Sequence, residues 1–201
     1  MIGSGVWLFA TAYLVSVASA GPGVASVISR AITYGWRGIP SFILGFIAAD
    51  LIWFAGAVTG VGALASSAAH VLIVLKYAGA AYLLYLAYRM WTANVRLSAD
   101  VPDEPAHRLF LASFALMLGN PKPMMFFLAV VPAVVDLSRL SVVDGLAMAA
   151  TIPIVLAVVL GAYVFVAVRA RRFFTHGGAF RIFNRCGALM MAAAALLIVA
   201  S

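Results

Sequence analysis

The chain has 201 residues, 66% of them hydrophobic and 9% charged, with a mean hydropathy of +1.12 and a net charge of +7. Soluble domains carry roughly 25% charged residues, so this composition excludes a soluble globular fold and indicates an integral membrane protein. In such a chain, positive charge points to basic cytoplasmic loops rather than to nucleic acid. One spanning helix takes about 20 residues, so six helices with short loops nearly use up the chain as a single transmembrane domain, residues 1–201.

The N-terminal residues Met1 to Gly5 lack a basic region, so a cleaved signal peptide is not expected. Helix 1 is predicted from about Val6 to Arg30. Near its middle Pro22 is flanked by Gly21 and Gly23, a pattern for local unwinding rather than a simple kink. A turn from Thr33 to Gly38 leads to helix 2, about Ile39 to Leu64. It carries Asp50 among Phe46, Ile47, Trp53 and Phe54, and the pair Gly56 and Gly60, a weak sign of a close helix contact. Helix 3 is predicted from about His70 to Trp91, with Lys76 near its start. A solvated cytoplasmic loop, about 96–107, follows.

Helix 4, within Leu109 to Val135, contains Gly119-Asn120-Pro121-Lys122-Pro123. Each proline removes a backbone donor, and hydrocarbon offers no water to the freed carbonyls. A lysine at that depth is costly and marks a functional site. Helix 4 is therefore predicted to break around a polar site. A loop with Asp136, Arg139 and Asp144 precedes helix 5, about Gly145 to Val168. Five arginines from Arg169 to Arg185 precede helix 6, which starts at about Cys186. As the single cysteine, Cys186 excludes an intramolecular disulfide.

With both termini outside, ten of the 13 basic residues fall in inside loops and only Arg139 in an outside loop, the bias expected of that orientation. Trp7, Trp36 and Trp91 fall near predicted boundaries, where interfacial anchors belong. Three helices per half make the halves, about 1–95 and 108–201, inverted repeats. Helices 1 and 4 both break near the bilayer midplane, at Pro22 and Pro121. Helices 3 and 6 share a polar-x-x-Gly-Ala pattern at Lys76 and Asn184. Paired breaks in inverted halves point to a transporter's central site. At 1.5 Å per residue, Lys122 lies about 21 Å along its helix from Arg108, Asp50 about 18 Å from Gly38, and Pro22 about 12 Å from Arg30, one central slab. Lys76, about 10 Å from the outer edge, can snorkel.

Two readings of Asp50 and Lys122 follow. In the first they pair to hold the bundle, although apolar residues would do so with less desolvation cost. In the second, Asp50 takes and releases a proton or holds a substrate amine. Lys122 then holds a carboxylate, helped by free amides of helices starting after Gly23 and Pro123. These groups suit a small zwitterion. His70, His107 and His176 fall in loops or at helix ends, so no metal site or cofactor is expected. Ser26, Ser29, Thr59 and Thr151 are expected to bond back to their own helices, and Tyr77, Tyr82, Tyr85, Tyr88 and Tyr163 to pack or sit at interfaces.

Gly21-Pro22-Gly23, Gly45 to Asp50, Lys76 to Leu86, and Phe114 to Asp136 around Asn120-Pro121-Lys122 resemble the LysE/RhtB family of amino-acid exporters. The resemblance covers nearly the whole chain in order. It implies a six-helix exporter of amino acids in the bacterial inner membrane, driven by the proton gradient and assembled as a homodimer. It carries substrate binding onto Gly21, Pro22, Gly23, Asp50, Asn120, Pro121 and Lys122, with Asp50 coupling to protons. The chain departs from the family after Gly23, where Val24-Ala25-Ser26 replaces the more polar residues of relatives, which puts the substrate class in doubt. The alternatives are a channel or carrier for another solute, a membrane redox carrier, which would need a second cysteine, and a membrane enzyme, for which no catalytic set is visible.

Overall fold

A computed structural model describes residues 4–19, 21–59, 104–136 and 139–170, together with single helical positions between 77 and 92 and between 185 and 199. The described residues are helical, with no strand among them. The third and sixth predicted helices, with the Lys76 and Asn184 motifs and Gly60, lie outside them apart from those single positions.

The first predicted helix is two helices. α1 spans Ser4–Ala18 and α2 spans Pro22–Tyr34, bent by 56°. Pro22 has no N–H to give to α1 and disfavours helical geometry in the residue before it. Gly21 is accordingly extended, at φ −166° and ψ 179°, and Pro22 takes the first helical position of α2. The break thus falls before Pro22, and α2 starts there rather than after Gly23. α2 ends at Gly35 (φ 66°), and Gly38 (φ 70°) opens α3, Ile39–Val58. Both glycines sit in the left-handed region that other residues avoid, which makes the turn between α2 and α3 tight.

The predicted helix 4 is interrupted twice. α4 spans Ala106–Leu118, taking in His107 at its start, and α5 begins at Pro121, not after Pro123. The two segments bend by 52°. α5 (Pro121–Met125) passes into a π-helical turn over Phe126–Val130, where Val131 N–H donates to the Phe126 carbonyl, and then into α6 (Val131–Val134). Pro132 accounts for this wider turn, because it cannot supply the next α-helical bond. α7 spans Val142–Ala170. Its start is a capping box: Ser141 Oγ accepts from Asp144 N–H at 3.1 Å and donates to Asp144 Oδ2 at 2.8 Å.

α3 and α7 are each long and apolar enough to cross a membrane, and each bent pair is so when counted as one span. α7 lines the core with Met148, Ile152, Leu156, Leu160 and Val164, one residue per turn, while Ile154, Val158 and Phe165 face outward. Such an apolar exterior belongs in lipid, where helix association depends on close packing and polar bonds rather than on expulsion of water. Gly45 illustrates the packing. A Cβ there would collide with Ser113 Oγ and stand 2.5 Å from the Phe110 carbonyl oxygen, so α3 and α4 touch backbone to backbone. A Cβ on Gly56 would meet no described atom within 4 Å, so that position marks no close contact among the described residues. Ala87 and Ala188, from the stretches predicted as helices 3 and 6, are buried together against Ala25 of α2.

Candidate functional site

The two breaks and the middle of α3 enclose one small cavity. Tyr13, Ser16, Gly21, Gly23, Asp50, Asn120 and Lys122 line it, with Phe46, Met117, Phe126 and Leu156 among its apolar walls. Its volume is about 40 Å³, room for one or two waters and too little for an amino acid.

Asp50 is 1% exposed. Its Oδ2 accepts from the Tyr13 hydroxyl at 2.7 Å, and its Oδ1, also buried, has no hydrogen-bond partner among the described residues. Tyr13 is fixed by rings around it: Phe9 stacks on it at 5.7 Å, and Phe126 and Phe127 lie at 5.5 and 5.7 Å. A carboxyl group in such a place has one partner supplied by the fold and one oxygen left over. Leaving a buried acceptor unmade is costly, which identifies Asp50 as more than a structural strut.

Lys122 does not form an ion pair with Asp50, although both line the cavity. Its ammonium instead donates to the Ser19 carbonyl at 2.6 Å, across the first break. Glycine at position 21 gives the lysine room, since a Cβ there would stand 3.2 Å from Lys122 Cδ and 3.4 Å from Nζ. Asn120 caps the second break: its Oδ1 accepts from Lys122 N–H at 3.1 Å, which occupies one of the free amides at the start of α5. Pro22 and Pro121 do not line this cavity. Pro121 borders an open, largely apolar groove of about 780 Å³ against α1 that also reaches Ser16 and Lys122.

Two tyrosines carry more than their positions in the sequence reveal. Tyr13 lies one turn from Phe9 and three residues from Ser16, so a polar-tipped face of helix 1 running toward the break was a readable signal. Tyr163, expected to pack or sit at an interface, donates its hydroxyl to the Ala18 carbonyl at 2.7 Å. Its target is a backbone group, which no side-chain pattern advertises. Ser26, Thr59 and Thr151 bond back to Gly23, Ala55 and Ala147 carbonyls, as expected. No group of three His, Cys, Asp or Glu residues able to hold a metal occurs among the described residues.

Broken apolar helices around a buried polar cavity are the architecture of a membrane transporter, not of an enzyme. The chain belongs to the LysE type translocator family, whose model matches residues 14–201. It is 28% identical over 197 residues to the homoserine/homoserine lactone efflux protein of Salmonella typhi, and 29% identical over 197 residues to that of Salmonella typhimurium, each match covering 95% of both chains. An uncharacterized membrane protein of Vibrio cholerae is 30% identical over 141 residues, 67% of each chain. No solved structure matches.

Proposed function

We propose that the protein exports amino acids or related small zwitterions across the bacterial inner membrane by alternating access, driven by proton entry. In this reading six helices form two inverted repeats with both termini outside, and two copies assemble as a dimer. The observation that carries it is the placing of Asp50 and Lys122 on one cavity between the two breaks, each held by a group other than its opposite charge. Two charges kept apart at hydrocarbon depth are expensive unless something charged comes to meet them. Asp50, with one oxygen unmatched, carries the proton or meets an amine. Lys122 meets a carboxylate. Gly21, Gly23 and Asn120 shape the breaks around the substrate, and Pro22 and Pro121 make the breaks.

The relatives named for homoserine and homoserine lactone efflux support this class. Homoserine and its lactone share an ammonium group, and only the first has a free carboxylate. A site serving both must hold the ammonium, whereas the carboxylate contact is an additional one.

The test is export from loaded vesicles across a panel of amino acids, with Asp50→Asn and Lys122→Ala beside the wild type. Wild-type export that accelerates when the outside is acidified, and loss of that export in both variants, is the expected result. Full transport by both variants removes Asp50 and Lys122 from the site.

A further inference from the structure

The C-terminal end of α1 stops inside the protein, so its last carbonyls need partners. Four are accounted for. Val15 accepts from Ser19 N–H at 3.0 Å and Ser16 from Ser19 Oγ at 2.8 Å. Ala18 accepts from the Tyr163 hydroxyl at 2.7 Å and Ser19 from Lys122 Nζ at 2.6 Å. The first two partners are local and permanent. The last two come from α7 and from the second break, and only Lys122 brings a charge. A cation suits this end of a helix, where the aligned peptide dipoles place partial negative charge. Freed carbonyls and half-helix ends of this kind coordinate cations in transporters with discontinuous helices.

Lys122 therefore has two uses that exclude each other. Its ammonium cannot stay on the Ser19 carbonyl and also turn to meet a substrate carboxylate in the cavity. Once it turns, Ser19 keeps a buried acceptor without a donor. We propose that the Ser19 carbonyl, at the negative end of α1, is a binding site for a primary ammonium group. Lys122 fills it in the empty protein, and the ammonium of the substrate fills it after the substrate carboxylate has drawn Lys122 away. This rests on the exporter reading and deepens it: the amine goes to the backbone, and Asp50 is left free for the proton.

Ligand binding to purified protein tests this without any transport. Propylammonium and propionate serve as the two halves of a zwitterion, with tetramethylammonium as a cation that has no N–H to donate. Binding is followed by calorimetry and by the unfolding midpoint. In the wild type, propylammonium competes with Lys122, so propionate is expected to tighten its binding about fivefold or more, the usual scale of coupling between sites. In Lys122→Met, which has no ammonium, propylammonium binds without propionate and raises the unfolding midpoint saturably, and tetramethylammonium does not. Propylammonium binding that is independent of propionate in the wild type overturns the proposal, and so does an equal effect of tetramethylammonium. Should Lys122→Met fail to fold, the wild-type coupling alone decides. A wild type that exports no amino acid yet shows this coupling would sink the exporter reading and leave the ammonium site standing.

Discussion

At the scale of single residues, the buried pair Tyr13 and Asp50 separates stability from transport. Removing the hydroxyl in Tyr13→Phe keeps the ring among Phe9, Phe126 and Phe127. Hydrogen bonds between helices in membranes contribute about 0.6 kcal/mol on average and up to about 1.7 kcal/mol, so the unfolding free energy is expected to fall by no more than that. Export is expected to fall further, about tenfold, because a bond to a charged group is worth about 1.5–3 kcal/mol when its partner must be oriented. Measuring both on one preparation checks this; parallel small losses would make Tyr13 a packing residue only. Asp50 and Lys122 were legible in the sequence because charge is anomalous in an apolar run. Their partners were not. Tyr13 reads as one more aromatic among many, and the Ser19 carbonyl has no letter in the sequence at all. It becomes a partner only because Pro22 denies it a helical neighbour.

At the scale of helices, proline marked the breaks at Gly21 and Asn120, and both fall there. The first turns of α2 and α5 include the prolines instead of following them, since proline is favoured where its missing N–H is not needed. The π-turn before Pro132 was a less visible consequence of the same chemistry, because a proline near the end of a predicted helix reads as termination. Close packing of α3 on α4 hinges on Gly45. Gly45→Val places carbon where Ser113 and the Phe110 backbone already are. Overpacking of this kind costs about 1–3 kcal/mol, and a lowered unfolding midpoint with separation of α3 from α4 is expected, measurable by cross-linking between introduced cysteines. Gly56→Val, where a side chain meets no described atom, serves as the control and is expected to be nearly neutral.

At the scale of the whole molecule, charge and shape make separate predictions. The concentration of arginines in alternate loops predicts both termini outside. Cysteines introduced at Ser4 and Ser201, in a chain carrying Cys186→Ser, are expected to react with an impermeant thiol reagent in intact cells; protection of either position reverses the orientation of that half. The cavity is far smaller than any amino acid, so passage requires α1–α2 and α4–α6 to move relative to each other. Their breaks are presently spanned by one side chain, from the Lys122 backbone to the Ser19 carbonyl. A lysine stem has a fixed contour length, so while its bond holds it acts as a tether: the two half-helix junctions can pivot about it but cannot part. Opening then needs the tether to be unhooked, and a carboxylate entering the cavity is the agent that unhooks it. The same side chain that recognises cargo would thus keep the empty carrier shut, and a leak of small solutes, rather than a loss of binding alone, is what a shortened residue at position 122 would produce.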